Sequence, residues 1–212
     1  MNRKFVSKSN LVLRKILNSK DNIYILKDFI ESFLNLNIKE IYLNSYLNSK
    51  SKCLPHEENF GVADVRIVLE DLRELNIGMQ FIDGYYVQNK ILLYYAQIHS
   101  NQLEYNKERK PAETVTINIL DFNYFNSEEY HKKIFINSKE DENGISEKME
   151  FHVLELPKFE LNDKEKIGRK EAWMIYLCGN NDKMIENVLK DFKIIKKLDD
   201  LLEEYWINEK ME

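Results

Sequence analysis

The sequence has few cysteines and no long apolar run, and these two absences exclude several classes of protein. Cys53 and Cys178 are the two cysteines of a 212-residue chain, and their wide separation gives neither a disulfide framework nor a zinc-binding pattern. Since no stretch of 18 apolar residues occurs, we expect no membrane span. The basic N-terminus is interrupted by charge too early for a signal peptide, so a cytoplasmic location is expected.

An excess of positive charge is also missing, because the formal net charge is −5. Residues 1–20 nevertheless carry six basic side chains and no acidic one, whereas residues 182–212 carry nine acidic and six basic ones. A basic segment at one end is compatible with phosphate contacts, although single lysines more often belong to a solvated helix face. The 43% apolar and 32% charged residues are typical of a globular domain, here with room for a small C-terminal extension.

Hydrophobic periodicity divides the chain into helices and strands. Two helices come first, then a short strand or extended connection and a polar loop over 48–61. A period of two then predicts a hairpin, and a long helix and further strands follow. This order favours a central mixed sheet with helices on both faces. The predicted helices cover 7–18, 19–38, 85–103 and the sequence from 166 onward, and the predicted strands cover 64–70, 74–82, 112–125, 131–136 and 149–157.

The predicted hairpin brings an acid across from a polar segment. If its turn centres on Asp71–Leu72, Asp64 lies opposite residues 78–80 on one face of the sheet. Oxygen ligands of this kind suit Mg²⁺, which needs one or two carboxylates and keeps several waters. A metal bound there would polarise a phosphodiester and activate water. Spacing alone is a weak signal, because a strand aspartate near a turn is more often simply exposed.

Five segments, taken in order, carry a resemblance to a known family. They read DVRIVLE…ELNIGMQ, KILLYYAQIHSNQL, KPAETVTINILDFNYF, FHVLELPKF and EAWMIYL. Together they resemble the PD-(D/E)XK nuclease family transposases, also called recombination-promoting nucleases. The resemblance implies a restriction-endonuclease-like α/β domain over residues 1–160, with a helical C-terminal extension over 161–212. It also implies a Mg²⁺-dependent DNA endonuclease, with Mn²⁺ able to substitute, that is associated with mobile elements or phage defence.

Matching the family pattern position by position assigns the expected site residues. Asp64 matches the metal-binding aspartate, and Gln80 matches the last residue of the family's E-x-Q element. Gly78 stands where that element has its glutamate, so one metal carboxylate is missing. Lys90 stands where the resemblance suggests a basic helix residue near the phosphate. Glu31, on the second predicted helix, is the acid expected to approach the metal from the side.

The glycine leaves three functions open. The chain is a Mg²⁺-dependent endonuclease, a nuclease-like protein that binds DNA without cutting it, or a protein-interaction module that forms a homo-oligomer through its C-terminal helices. Gly78 itself is either a natural loss or an introduced substitution. Gln102 is a further candidate beside the metal, whereas the Tyr94–Tyr95 pair and the end of the DFNYF strand are assigned to the core. Self-association would use a run of apolar residues in the last helix: Ile194, Ile195, Leu198, Leu201 and Leu202.

Overall fold

The computed structural model describes residues 10–43, 61–82, 84, 86–105, 112–136, 149–161 and 166–209. Residues 1–9 of the basic segment and residues 48–60 of the predicted loop lie outside these ranges. The described residues form six strands and six α-helices. They are α1 (Asn10–Leu17), α2 (Ile23–Leu34), β1 (Ile38–Leu43), β2 (Gly61–Leu69), β3 (Glu74–Ile82), α3 (Val87–Tyr105), β4 (Glu113–Leu120), β5 (His131–Ile136), β6 (Met149–Glu155), α4 (Arg169–Cys178), α5 (Asp182–Asp191) and α6 (Lys193–Glu209).

The strands form one mixed sheet in the order β1-β2-β3-β4-β6-β5. The pairs β1–β2 and β2–β3 are antiparallel, the pairs β3–β4 and β4–β6 are parallel, and β5 closes the sheet antiparallel to β6. The hairpin predicted from the period of two is confirmed, and its turn includes Leu72 in the left-handed conformation with φ 68°. The predicted α/β architecture, with a mixed sheet between helices, is confirmed as well.

Helices cover both faces of the sheet unequally. On one face, apolar side chains of α1, α2, α4, α5 and α6 share a single core with those of the sheet, including Trp173 and Tyr176. α3 covers the other face, where Val87, Ile91 and Tyr95 form a smaller core with the ends of β3, β4 and β6. Tyr94 and Tyr95, which the sequence assigned to the core, are both buried. No helix within the described ranges is long and apolar enough to cross a membrane.

The apolar run of the last helix packs inside the chain. Ile195, Leu198 and Leu202 are buried in the larger core, and Ile194 and Leu201 pack against it. These side chains hold α6 to α1, α2 and α5. Self-association through the C-terminal helices stays a prediction, but the apolar side chains predicted to mediate it already pack within the chain. The domain boundary at residue 160 also stays a prediction.

The strand predicted over 112–125 ends earlier, at Leu120. The DFNYF segment after it is a loop rather than the end of a core strand, so that assignment was wrong. The reason is a buried carboxylate on β6: Glu155 accepts hydrogen bonds from the backbone N–H groups of Tyr124 and Phe125. These donors therefore face a side chain instead of a neighbouring strand, and the chain turns away from the sheet.

Two histidines form a pair on β5 and β6, in which His152 is buried and His131 is half-buried. His131 Nε2 lies 2.8 Å from His152 Nδ1, and His152 Nε2 lies 2.8 Å from a carboxylate oxygen of Glu150. Lys133 pairs with the same carboxylate at 2.7 Å. Burial, and then the positive charge of Lys170, lowers the pKa of His131 to about 3. Burial also lowers the pKa of His152, against the opposing effect of Glu150.

We expect the protein to lose stability as the pH falls through this pair's range. Both histidines bind protons more weakly in the folded state than in the unfolded state, so their stabilising effect is present above about pH 6.5 and is lost toward pH 3. Because His131 is partly exposed, we expect a loss of about 1 kcal/mol between pH 7 and 5.5. Urea denaturation at both pH values measures it, with His131→Gln expected to reduce the difference. An equal difference in this variant would contradict the assignment.

Candidate functional site

Asp64 and Gly78 lie directly opposite each other on β2 and β3, as the hairpin predicted. Both face α3, because their neighbours Val65 and Ile77 belong to the core on the other side of the sheet. The Asp64 side chain is 1% exposed. An aspartate near a hairpin would ordinarily lie in solvent, whereas this one is covered by other parts of the chain.

Gln80 lies on the same face, two residues beyond Gly78, and is fully buried. Its Nε2 donates to Asn118 Oδ1 on β4 at 2.7 Å and, more weakly, to the backbone oxygen of Lys90 at 3.5 Å. Asn118 Nδ2 in turn donates to Thr116 Oγ1 at 3.0 Å and to the backbone oxygen of His152 at 3.1 Å. Within the described residues, Gln80 Oε1 has no hydrogen-bond partner. The glutamine is thus held in one orientation, with one acceptor oxygen left over.

Two side chains of α3 fill the space in front of Gly78. A β-carbon placed on this glycine would lie 2.5 Å from Ile98 Cδ1 and 2.9 Å from Tyr94 Cε1. The tyrosine is not easily displaced, because its hydroxyl donates to the backbone oxygens of Ala63 at 2.9 Å and Met79 at 3.1 Å. The glycine therefore serves a close approach between helix and sheet. No side chain fits at position 78 unless its neighbours move.

Comparison with protein-family models identifies the family of this chain. The model of the PD-(D/E)XK nuclease family transposases matches residues 8–212, almost the whole chain. The chain belongs to this family. No curated protein and no solved structure matched the chain in the corresponding searches. The family match confirms the resemblance read from the sequence and supports a nuclease-like function.

Three of the predicted site residues, Asp64, Gly78 and Gln80, lie on the face of the sheet that α3 covers, whereas the other two lie elsewhere or approach it only through the backbone. Lys90 is half-buried on α3, and its backbone oxygen is the atom that faces Gln80. Glu31 lies on α2, in the layer that covers the opposite face of the sheet. One of its carboxylate oxygens accepts from the backbone N–H of Ile38 at 3.0 Å, and the other lies 3.6 Å from Arg169 Nη1. The structure does not bring Glu31 and Asp64 together.

Gln102 lies near the C-terminal end of α3, where this helix packs against the start of β4. Its amide forms a pair of hydrogen bonds with the backbone of Ala112, at 2.9 and 3.3 Å, and donates to Thr114 Oγ1 at 3.0 Å. These residues begin β4, whereas Gln80 faces the end of that strand. Gln102 therefore positions α3 on the sheet instead of lying beside Gln80. The prediction that placed it beside the metal is not supported by this geometry.

Sequence reasoning missed the polar row on β4. Thr114, Thr116 and Asn118 alternate with apolar residues, are buried, and pair in register with Asn76, Gly78 and Gln80 of β3. The signal was present as the alternation T-V-T-I-N-I, in which polar residues occupy every second position of a strand read as uniformly buried. Buried polar side chains need hydrogen-bond partners. Here amide side chains donate hydrogen bonds to the two threonine hydroxyls.

The described residues on this face of the sheet do not fit the divalent metal that the family implies. Within the described residues, no group of three or more histidine, cysteine, aspartate or glutamate side chains is placed to hold a metal ion. Mg²⁺ keeps several waters when it has few protein ligands, and the buried Asp64 beneath α3 leaves little room for them. The surplus oxygen of Gln80 is a suitable ligand type, but Tyr94 and Ile98 fill the space in front of Gly78, opposite Asp64.

Cys178 is excluded as an alternative nucleophile. It ends α4, and its thiol donates to the backbone oxygen of Leu156 at 3.3 Å. Burial raises the pKa of this thiol to about 12. Because the thiolate is the reactive form, we expect Cys178 to be unreactive at neutral pH.

Proposed function

We propose that this protein is a DNA-binding member of its nuclease family in which Mg²⁺- or Mn²⁺-dependent phosphodiester hydrolysis is severely impaired. A single observation carries the proposal: Tyr94 and Ile98 of α3 fill the space in front of Gly78. By the resemblance read from the sequence, Gly78 stands where the family has its glutamate. The missing carboxylate is thus replaced by packed apolar atoms and not by an open pocket.

The loss affects the central requirement of metal-assisted hydrolysis. A catalytic metal must be held firmly enough to stabilise the charge that develops on the phosphate and to activate a water. Asp64 by itself offers one carboxylate, and Gln80 is a neutral residue whose amide nitrogen is bound to Asn118. The loss of one protein carboxylate lowers the affinity for the metal. Because side chains of α3 fill the space of that carboxylate, water and a phosphodiester would also have less access to the site.

DNA binding is proposed on two separate grounds. The first is membership of a nuclease family, over residues 8–212. The second is the basic segment over residues 1–20, whose six cations are not balanced by any acid. Cations that neutralise phosphates release counterions from DNA, so the affinity should fall steeply as the salt concentration rises.

Fluorescence anisotropy with a labelled DNA duplex tests the binding half of the proposal. We expect the logarithm of the affinity to fall linearly with that of the salt concentration, with a slope of about −3 to −5 for three to six phosphate contacts. The variant Arg3→Gln/Lys4→Gln/Lys8→Gln should bind more weakly and show a shallower slope. Lys183→Gln/Lys190→Gln/Lys193→Gln, a matched loss of three exposed charges from α5 and α6, should bind like the wild type.

Plasmid cleavage tests the hydrolytic half independently. We expect the wild-type protein to leave supercoiled plasmid intact with Mg²⁺ and with Mn²⁺, at a level equal to that of Asp64→Ala. Cleavage by the wild type that Asp64→Ala abolishes would overturn the proposed impairment, and would show that another acid serves the metal. Absence of salt-sensitive DNA affinity would overturn the binding half and leave the cleavage result unaffected.

A further inference from the structure

A group of titratable side chains lies on the face of the sheet opposite Gly78 and has no part in the proposed function. Gly78 faces α3, whereas α2 and α4 cover the other face. There the ring of Phe33 on α2 has two titratable neighbours: the ring of His131 on β5, with centroids 5.9 Å apart, and the ammonium of Lys170 on α4, 6.0 Å from the ring centroid. Lys170 Nζ also lies 5.2 Å from the ring centroid of Tyr130. An amine and an imidazole are thus gathered around one aromatic ring.

Hydrogen bonds determine which nitrogen of each histidine carries its proton. Because burial lowers the pKa of both histidines, each ring is neutral at pH 7 and has one N–H group. The carboxylate of Glu150, which pairs with Lys133, can only accept a hydrogen bond, so His152 donates to it through Nε2. His152 Nδ1 therefore accepts from the Nε2–H of His131. This leaves His131 Nδ1 unprotonated, and among the described residues it has no hydrogen-bond partner.

The environment of Lys170 favours its neutral form. The side chain is half-buried, and in the part of the chain that the structure describes its Nζ forms neither a hydrogen bond nor an ion pair. Lys158, by contrast, is compensated by the carboxylate of Glu155 at 2.7 Å. Burial lowers the pKa of Lys170, against the opposing effect of Glu171. A larger fraction of Lys170 is therefore the neutral amine, which is the nucleophilic form.

We propose that Lys170 forms an imine with the aldehyde group of a ligand and that His131 holds a proton during this reaction. The ammonium of Lys170 first gives a proton to His131 Nδ1, and the neutral amine attacks the carbonyl carbon. A C–N bond forms, the electron pair of the C=O bond moves to oxygen, and this oxygen takes the proton that the attacking nitrogen loses. His131, whose own pKa is about 3, then returns its proton to the hydroxyl, which leaves as water. A protonated imine remains, so the reaction needs no reactant besides the amine and the aldehyde.

The surroundings of the two groups support each part of this step. A proton on His131 Nδ1 is stabilised through His152 by the negative charge of Glu150, since two hydrogen bonds of 2.8 Å run in series. The rings of Phe33 and Tyr130 favour a cation over their faces, and a protonated imine keeps its positive charge at this position. An amide formed by acyl transfer would lose that charge. The geometry therefore favours an aldehyde over an acyl donor as the reactant.

The aldehyde can come from two sources that share this chemistry. One is a free small aldehyde, and the other is the ring-opened sugar at an abasic position in DNA. The second source rests on the proposed DNA binding, whereas the first is independent of it. Neither source depends on the metal or on the face of the sheet that α3 covers.

Reductive trapping with the full chain tests the proposal. The protein is incubated at pH 7 with glyceraldehyde, or with a DNA duplex that contains one abasic site, together with cyanoborohydride, which reduces an imine to a stable amine. Peptide mass spectrometry then gives the rate of modification at each lysine. We expect Lys170 to react at least about 10-fold faster than Lys132, which also lies over an aromatic ring, 4.9 Å from the centroid of Phe125.

Two variants separate the roles of the amine and the imidazole. His131→Gln should slow the modification of Lys170 by about 100-fold and leave the rate at Lys132 unchanged, which also shows that the variant is folded. Lys170→Arg should remove the fast-reacting site while it keeps the charge and the wild-type circular dichroism spectrum.

Each outcome decides one part of the proposal. Equal rates at Lys170 and Lys132 with both aldehydes would overturn it, and an unchanged rate in His131→Gln would overturn the role of the histidine. Selective modification by glyceraldehyde alone would assign a small aldehyde as the ligand, and selective modification by the abasic duplex alone would assign the DNA sugar. If the protein lacks salt-sensitive DNA affinity but glyceraldehyde still modifies Lys170 selectively, the proposed DNA binding fails and the imine site stands.

Discussion

A Gly78→Glu variant is expected to unfold at least about 3 kcal/mol more easily than the wild type and to leave plasmid DNA uncut. A glutamate at this position, where the sequence resemblance places the family's glutamate, is not expected to create a working site, because the first atom of the new side chain would already lie 2.5 Å from Ile98 Cδ1. The rest of the glutamate would carry a second negative charge into a buried region opposite Asp64. Urea denaturation and plasmid cleavage with Mg²⁺ measure the two effects separately.

A double-mutant cycle isolates the steric cause. An alanine in a strand would ordinarily stabilise it by roughly 0.5–1 kcal/mol relative to glycine, but overpacking at position 78 should reverse the sign and cost about 1–3 kcal/mol. Ile98→Val removes the Cδ1 atom that lies closest to the added carbon, at its own cost of about 0.5–1.5 kcal/mol. Gly78→Ala/Ile98→Val should therefore be more stable than the sum of the single changes predicts, by about 1 kcal/mol.

The opposite outcome has a clear meaning. If Gly78→Glu is as stable as the wild type and cuts DNA, α3 moves away from the sheet at little cost, and the close packing of Tyr94 and Ile98 does not block the site. If Gly78→Glu/Ile98→Ala cuts DNA while Gly78→Glu does not, the rest of the nuclease site is intact and the packing of α3 is what must be undone.

The hairpin was predictable because its information is local. Residues 64–82 alternate with a period of two around a short turn, and that period fixes which side chains share a face. The register of Asp64 against Gly78 follows once the turn is placed, and the structure confirms it. The inward side of α3 was predictable for the same reason, since a helical period identifies one apolar stripe without reference to the rest of the chain.

The packing of α3 over Gly78 and Gln80 depends on contacts between residues that are far apart in the sequence, and local sequence patterns do not predict such contacts. Tyr94 reaches the backbone of residue 63, 31 positions away, and Gln80 reaches Asn118 across 38 positions. Parallel pairing of β3 with β4 creates the second of these contacts, and no short-range signal in the sequence states which strands will be neighbours. The sequence could therefore show a glycine at position 78, whereas it could not show that Tyr94 and Ile98 fill the space in front of it.

The buried ion pair beneath the DFNYF loop is expected to give the largest loss of stability by a single substitution in that region. Glu155 is 1% exposed and accepts from Lys158 Nζ at 2.7 Å as well as from two backbone N–H groups. Lys158 is itself nearly buried and also donates to the backbone oxygen of Phe125 at 2.5 Å. Glu155→Ala would leave this ammonium and two N–H donors without their acceptor, at a cost of about 3–5 kcal/mol.

Three comparisons make this result specific. Lys158→Met should cost less than Glu155→Ala, because the carboxylate keeps its two backbone donors while the methionine stem fills the same space. Glu155→Ala/Lys158→Met should recover part of the loss, since no unpaired buried ammonium remains. Glu129→Ala, an exposed change in the same loop, should stay within about 0.5 kcal/mol of the wild type. A loss below about 1 kcal/mol for Glu155→Ala would show that water reaches this pair and that the loop is held by other contacts.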